Sequence, residues 1–444
     1  MKKGFLLLLL FLSSCAPPVR HYTRINNYLY QGQYSEADSV LEKSKGVYGI
    51  RNSVLYYLDR AMVLHLAGRY AESNAFLERA ELRMEDLYTK SVTSEAGAML
   101  TNDNLLPYEG EDFEKVMVNV IGALNYVYLH QWDDALVEAR KVDHKLNTLN
   151  DKYEKKNVYK EDAFARYLSG LLYEAKDEYN DAFIAYRKAY ETYGVYEQDY
   201  GTGVPPPLPG DLLRLTESLH LDEEYNYYSN IFSDTSWVTQ DQMTRDGEII
   251  FISLDGYAPI KTDYFIDAPV PDSEGGIYHL RIALPRFVIQ PDELEYVEVK
   301  LFDSAGSIAS QEMFLAEDIA AIAVKDLEDR IGRITAKAIA RATAKYLASL
   351  EVRKKVKDDP FADFLVKLGT NIYTIASEQA DKRSWQTLPA QIRMARLAVP
   401  PGSYTLVAEY YGGNHRLLMK KSYPVDLQGG DKVFLSNRYL GNLH

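Results

Sequence analysis

Few residues in this chain have the type and spacing that chemistry requires. Cys15 is its only thiol and stands at the end of the apolar run Phe5–Leu12, directly after Leu12-Ser13-Ser14. His220 and Glu224 are four apart, the spacing at which one helix face offers two ligands to a cation, although surface polarity explains them more simply. Asp255, Asp263 and Asp267 fall near expected strand ends, where they could bind calcium or act as paired carboxylates; turn chemistry accounts for Asp255 on its own. Arg383, Trp385 and Pro389 form the densest distinctive run. Trp385 could stack on a sugar face or plug a seam between helices and sheet, and the seam is the favoured reading. The chain has no Gly-Lys-Ser/Thr phosphate loop, no His-Glu-x-x-His, no Gly-x-Ser-x-Gly elbow and no cysteine pair. No catalytic residue, metal site or cofactor is therefore assigned, and the expected function is binding, not catalysis.

The start of the chain explains the thiol. Lys2 and Lys3, then the apolar run, then small residues are the order of a secretory signal. The run is too short for a membrane span, which takes about 20 residues. Leu12-Ser13-Ser14-Cys15 resembles the lipobox of bacterial lipoproteins. That resemblance implies cleavage before Cys15, diacylglycerylation of its thiol and acylation of the new amine, so that palmitate-like chains hold the protein on a membrane. Ala16, standing where Asp would favour inner-membrane retention, implies the periplasmic face of the outer membrane. A lone cysteine leaves no intramolecular disulfide. Only residues 16–20 separate the anchor from the first helical pattern, a reach under about 20 Å.

The chain has 444 residues and a net charge of −14, which repels nucleic acid, so no nucleic-acid partner is expected. With 46% apolar and 12% aromatic residues it can build substantial cores.

The elements that position these residues begin with a repeat. Gly32-Gln33-Tyr34-Ser35-Glu36-Ala37, Gly68-Arg69-Tyr70-Ala71-Glu72-Ser73, His130-Gln131-Trp132-Asp133-Asp134-Ala135 and Glu178-Tyr179-Asn180-Asp181-Ala182 each give a turn, an aromatic, polar residues and a small residue. A helical pattern follows each, and another precedes each, as over 54–66 and 164–176. The aromatics at 34, 70, 132 and 179 imply insertions near 89–112 and 150–162, because a tetratricopeptide (TPR) period is about 34. The pattern resembles the TPR, most clearly in the last copy, where Gly170, Tyr173, Ala182, Tyr186 and Ala189 are the expected inter-helix packing residues. Stacked hairpins make a solenoid with a concave face. Tyr56, Tyr57, Tyr126, Tyr128 and Tyr167 are the candidate partner-binding residues of that groove, against the plainer reading that each packs between repeats.

After residue 193 the chain changes character. Val204-Pro205-Pro206-Pro207-Leu208-Pro209 predicts a stiff connector, and Asp211 is expected to cap a helix running to about Asn230. From Glu248 the period becomes two, with strands expected at 249–252, 277–282 and 297–302 and again at 404–411, 416–425 and 432–437. Between the two sets, Val324 to Leu350 and Phe361 to Ile375 each carry an apolar stripe at helical spacing, broken at Asp358-Asp359-Pro360. The fold expected is α+β: an N-terminal TPR-like α-solenoid followed by a small β-sandwich-like domain interrupted by a long helical hairpin. The divisions are 1–14 signal, 15–20 tether, 21–193 repeats, 194–246 proline-rich linker and helix, 247–315 first β part, 316–381 inserted hairpin and 382–444 second β part.

The run Glu378 to Pro389 and the later Pro400-Pro401-Gly402, taken with the lipobox, repeats and hairpin, resemble a family of bacterial TPR-bearing lipoproteins with no established activity. Its members are often encoded near lipoproteins that regulate peptidoglycan synthases. The resemblance implies a membrane-anchored interaction scaffold in the cell envelope, with an envelope protein as partner in cell-wall or secretion machinery. The tether departs from the long leash that an activator reaching across the periplasm needs. The alternative is a peptidoglycan- or polysaccharide-binding envelope protein that uses its C-terminal β-domain.

Overall fold

The computed structural model describes residues 19–93, 106–152, 159, 161–271, 277–356 and 380–441. Leu12, Ser13, Ser14 and Cys15, and the second apolar stripe of the expected hairpin, lie outside the described residues.

Five antiparallel helical hairpins open the chain. They pair α1 (Val19–Tyr30) with α2 (Tyr34–Lys43), α4 (Ser53–Leu66) with α5 (Tyr70–Thr93), α6 (Asp112–Tyr128) with α7 (Trp132–Lys152), α8 (Ala163–Glu174) with α9 (Tyr179–Tyr200), and α10 (Leu208–Ser218) with α11 (Asp222–Ile231). The short α3 (Lys45–Tyr48) joins the first two. Each hairpin turns in the same way. Gly32, Gly68, His130, Asp177 and His220 adopt φ between 56° and 73°. The next residue's N–H reaches back five positions, as in Gln33 to Tyr28 O, Gln131 to Tyr126 O and Leu221 to Thr216 O. This is the Schellman geometry, in which a left-handed residue lets the last carbonyls of a helix find donors. Glycine meets the requirement freely in the first two turns.

The fifth turn corrects the expectation of a single capped helix after a linker. At His220 the aromatic found elsewhere two residues on is Asp222, and the small residue five on is Tyr225, so the repeat signature is absent while its backbone geometry remains. Pro207-Leu208-Pro209 does not act as an extended spacer either. Proline needs no amide donor in a helix's first turn, and α10 starts there.

Within the fourth hairpin, Gly170 on α8 faces the ring of Tyr186 on α9 so closely that a Cβ would lie 2.3 Å from two ring carbons. Ala182 and Ala189 are fully buried on the same helix, and Tyr173 is half-buried.

A three-layer arrangement follows. The short α12 (Gln240–Arg245), capped by the Thr239 hydroxyl, leads into β1 (Gly247–Asp255). The remaining strands are β2 (Ile260–Pro271), β3 (Ile277–Val288), β4 (Leu294–Asp303), β5 (Gly306–Glu312), β6 (Phe314–Asp318), β7 (Gln391–Val399), β8 (Gly402–Gly412), β9 (Arg416–Leu427) and β10 (Lys432–Tyr439). One sheet has the order β10-β1-β7-β6 and the other β5-β4-β8-β9; β1 and β10 run parallel and the other pairs are antiparallel. Side chains alternate across a strand, and β1 uses both faces. Ile249 and Phe251 join the core between the two sheets with Val299 and Leu406, whereas Ile250, Ile252 and Leu254 join the core shared with the helices. The outcome is helices, then the first sheet, then the second.

β2 and β3 form a separate ribbon. The helix α13 (Ile319–Val356), about 57 Å long at 1.5 Å per residue, packs along it through Ile331, Ile334 and Ala338 against Ile266, Ile282 and Leu284. The first arm of the expected insertion is thus a single helix lying on a β-ribbon. No described helix is long and apolar enough to cross a membrane.

Replacing Gly170 with alanine should destabilise the protein by about 1–3 kcal/mol, because the overpacking at Tyr186 outweighs the gain in helix propensity. A lowered urea midpoint with an unchanged slope is the expected result.

Candidate functional site

The inner helices of the array do not line an open groove. The first helix of each of the last four hairpins faces the first sheet and the segment 380–390, and buried polar groups join them in two clusters. In the first cluster Arg396 on β7 donates to Glu248 on β1 at 2.6 Å, to the Tyr167 hydroxyl on α8 at 2.6 Å and to Asp211 on α10 at 3.1 Å. Arg214 donates to Glu174 at 2.7 Å and to Asp211 at 3.0 Å. Lys432 on β10 lies 2.5 Å from Glu248 and 3.5 Å from Glu174, whose other oxygen accepts from the Tyr186 hydroxyl. Arg396, Arg214 and Lys432 thereby balance Glu248, Asp211 and Glu174. Burial works against the charge on Glu174, but Arg214, Lys432 and Arg396 outweigh it and hold that carboxyl well below its usual range.

The second cluster holds residues 380–390 among the N-terminal hairpins. The Trp385 amide donates to Glu114 at 2.7 Å, and its indole, 1% exposed, donates to Thr387 at 2.8 Å. The Thr387 hydroxyl donates to Asp59, which also accepts from Tyr22 and Tyr48 at 2.8 Å. Arg383 donates to Asn52 and to the Leu106 carbonyl and lies over the Tyr108 ring. Glu111 pairs with Lys261 on β2 and Arg330 on α13. Burial opposes the Glu111 charge, yet Lys261 and Arg330 hold its carboxyl well below the ordinary range. Burial, followed by the Glu111 charge, pushes Glu114 up to about 7. Burial pushes Asp59 up to about 6 against its hydrogen bonds from Tyr48, Tyr22 and Thr387.

These contacts locate the residues singled out in the sequence. Tyr167 is fully buried beneath Arg396. Tyr56 is buried with its hydroxyl accepting from Arg60 and its ring edge-on to Tyr48. Tyr128 is packed on Tyr70 at 4.8 Å, with Ser436 of β10 beside its hydroxyl. Tyr57, against Phe76, and Tyr126 are half-buried. The expected tyrosine groove is therefore corrected: Tyr128 and Tyr167 are covered by the chain's own sheet, and Tyr56 and Tyr57 pack between neighbouring helices against Tyr48 and Phe76. Trp385 sits in the seam and cannot meet a sugar.

The other candidates for chemistry disperse. His220 occupies a turn, not a helix face shared with Glu224. Asp255 is buried against Arg393 and Ser253, Asp263 pairs with Lys382, and Asp267 is exposed on the ribbon. Among the described residues no three His, Cys, Asp or Glu side chains are placed to hold a metal ion. A cavity of about 50 Å³ borders the first charge cluster, lined by Glu174, Asp177, Tyr179, Glu248 and Lys432 among others. It is far smaller than the roughly 300 Å³ or more of a small-molecule site.

What remains open is the outer face. Seven residues after each turn residue the second helix presents Ser39, Ala75, Val137, Ile184 and Tyr227, all exposed. The last three are 46%, 41% and 59% exposed. They make a row of equivalent positions whose apolar size grows toward the C-terminal end of the array. Sequence reasoning missed its C-terminal member because Tyr227 falls into register only through the fifth turn, which lacks the repeat signature.

No protein-family model matches the sequence, and no curated protein matches it. Among solved structures the chain is similar to the nearly identical TPR-like repeats of a kinesin light chain from Podosopora anserina, at 12% identity and TM-score 0.29, covering 48% of this chain and 90% of that one. A point variant of the same repeats gives 12% and 0.29 over 49% and 96%. MamA of AMB-1 gives 16% and 0.28 over 50% and 93%. Superpositions this loose carry no argument, and the repeat description rests on the five turns above.

The Asp59 carboxyl predicts a pH dependence. Its folded value, about 6, lies above its ordinary 3.8, so the folded state binds the extra proton between those values. The resulting stability is fully present below about pH 4 and is lost as pH rises through 6, by up to about 3 kcal/mol. Urea unfolding of wild type and Asp59→Asn at pH 4 and pH 7 should show the wild type gaining on the variant toward acid.

Proposed function

We propose that this chain is a lipoprotein, anchored through Cys15 to the periplasmic face of a bacterial envelope membrane, and that its TPR-like array is a protein-interaction scaffold whose partner docks on the outer helices. The observation that carries the docking face is the row Val137, Ile184 and Tyr227. The concave face is filled from within the chain, and solenoid ends are ordinarily closed by a polar outer surface, whereas α11 exposes Tyr227 and Ile231. Grouped exposed apolar residues mark interaction sites, whereas single scattered ones are ordinary. The lipobox-like Leu12-Ser13-Ser14-Cys15 supports the anchor.

A second reading takes the glycan alternative to the solvent face of the second sheet. There Tyr296 stacks on Tyr411 at 4.9 Å, beside Glu409, Lys300 and His415. Retention on purified sacculi that is lost in Tyr411→Ala would favour it.

A photocrosslinking residue at Ile184 or Tyr227 should capture an envelope protein in intact cells, and one at Ser39 should capture far less. Ile184→Lys with Tyr227→Lys should abolish capture without lowering thermal stability, since both side chains are exposed. Equal capture at all three positions, or none at any, would contradict the outer-face reading.

A further inference from the structure

The chain passes from the first hairpin to the second through an unusual corner. Residues 43–51 read Lys-Ser-Lys-Gly-Val-Tyr-Gly-Ile-Arg, with three basic residues and no acidic one, in a chain whose net charge is −14. Tyr48 anchors the corner. Its hydroxyl donates to the buried Asp59, and His21 on α1 lies edge-on to its ring, with Nε2 3.2 Å from the same hydroxyl. Gly49 then takes φ 66°, ψ −178°, a region essentially reserved for glycine, with open space around it. The backbone on either side of this anchored tyrosine holds apolar side chains outward. Ile50 is 84% exposed and Val47 48%. Lys43 and Lys45 are exposed on the same corner, with Arg24 exposed on α1 beside His21. The nearest acid in sequence, Glu42, is engaged by Arg60.

An apolar tip with a basic collar fits the boundary between acyl chains and headgroups, where apolar side chains bury shallowly and Lys or Arg meet anionic lipid. The placement agrees. α1 begins at Val19 and carries His21 against the corner, and Cys15 is four residues earlier, a reach of at most about 14 Å. We infer that the Lys43–Arg51 corner is a membrane-docking loop: Val47 and Ile50 enter the bilayer that holds the anchor, and Lys43 and Lys45 lie against anionic phospholipid headgroups. The inference rests on the reading of Cys15 as the acylated residue. It adds a second contact, which fixes the array's orientation above the membrane.

The test separates the two readings. A full-length chain with Cys15→Ser, an N-terminal histidine tag in place of residues 1–14 and Ile50→Cys as its only thiol is labelled with an environment-sensitive fluorophore. It is then tethered to nickel-chelating vesicles containing about one-quarter phosphatidylglycerol. The expected result is an emission increase of about threefold at position 50, quenched by spin-labelled lipid. The same label at Ser233→Cys, in the chain just after the last repeat, should stay unchanged. Lys43→Glu with Lys45→Glu should remove most of the increase. A label at 50 as wet as that at 233, or one shielded only by a protein in native membranes, would overturn the proposal. Mass spectrometry of the native N-terminal peptide reports acylation separately, so a bare Cys15 beside a lipid-embedded Ile50 would remove the anchor and leave the loop standing.

Discussion

The joint between the helical array and the first sheet depends on Arg396 being paired while out of water. A guanidinium buried without partners would cost several kcal/mol, and its partners come from three places: Glu248 on the neighbouring strand, Asp211 on the fifth hairpin and Tyr167 on the fourth. Neither the sheet nor the helices alone can satisfy it. The same holds for Glu174, which needs Arg214 from the helices and Lys432 from the sheet. Such pairs add little net stability over an apolar seam, but breaking one leaves an uncompensated charge. They therefore act chiefly to make one docking geometry acceptable, and they tie the helical array and β-sandwich into a single unit.

That constraint decides which surface is available. A helical array usually offers its concave side, but here that side holds the first sheet, and between the N-terminal hairpins it holds Arg383, Trp385 and Thr387. The inner helices face inward with Asp59, Glu114, Tyr167, Glu174 and Asp211. The outer helices keep Val137, Ile184 and Tyr227 in water. The α13–ribbon arm is joined to the same unit at its base, where Glu111 takes both Lys261 and Arg330.

Much of this was legible in the sequence. Four of the five hairpins announce themselves through a turn, an aromatic and a small residue. Strand β1 announces itself through the apolar run Ile249 to Ile252, β3, β4, β8, β9 and β10 through strand-like patterning, and α13 shows one stripe. The fifth hairpin was hidden because Asp222 and Tyr225 replace the signature residues while His220 still adopts the left-handed turn. β7 was hidden because Arg393 and Arg396 interrupt it, so it offers neither the continuous apolar run of β1 nor the alternation of a half-exposed strand. The groove of tyrosines was misplaced for a related reason. Periodicity says which face of a helix is apolar, but not whether a distant segment of the same chain will cover it.

Segment 380–390 and the sheet are locked to the helices as one cooperative unit, and native-state hydrogen exchange at the Trp385 amide, bonded to Glu114, tests this most directly. Trp385 should exchange only through global unfolding, with the same opening free energy as Phe251 in the core between the sheets. Fast exchange at Trp385 while Phe251 stays protected would contradict that coupling, because the groove would then open on its own.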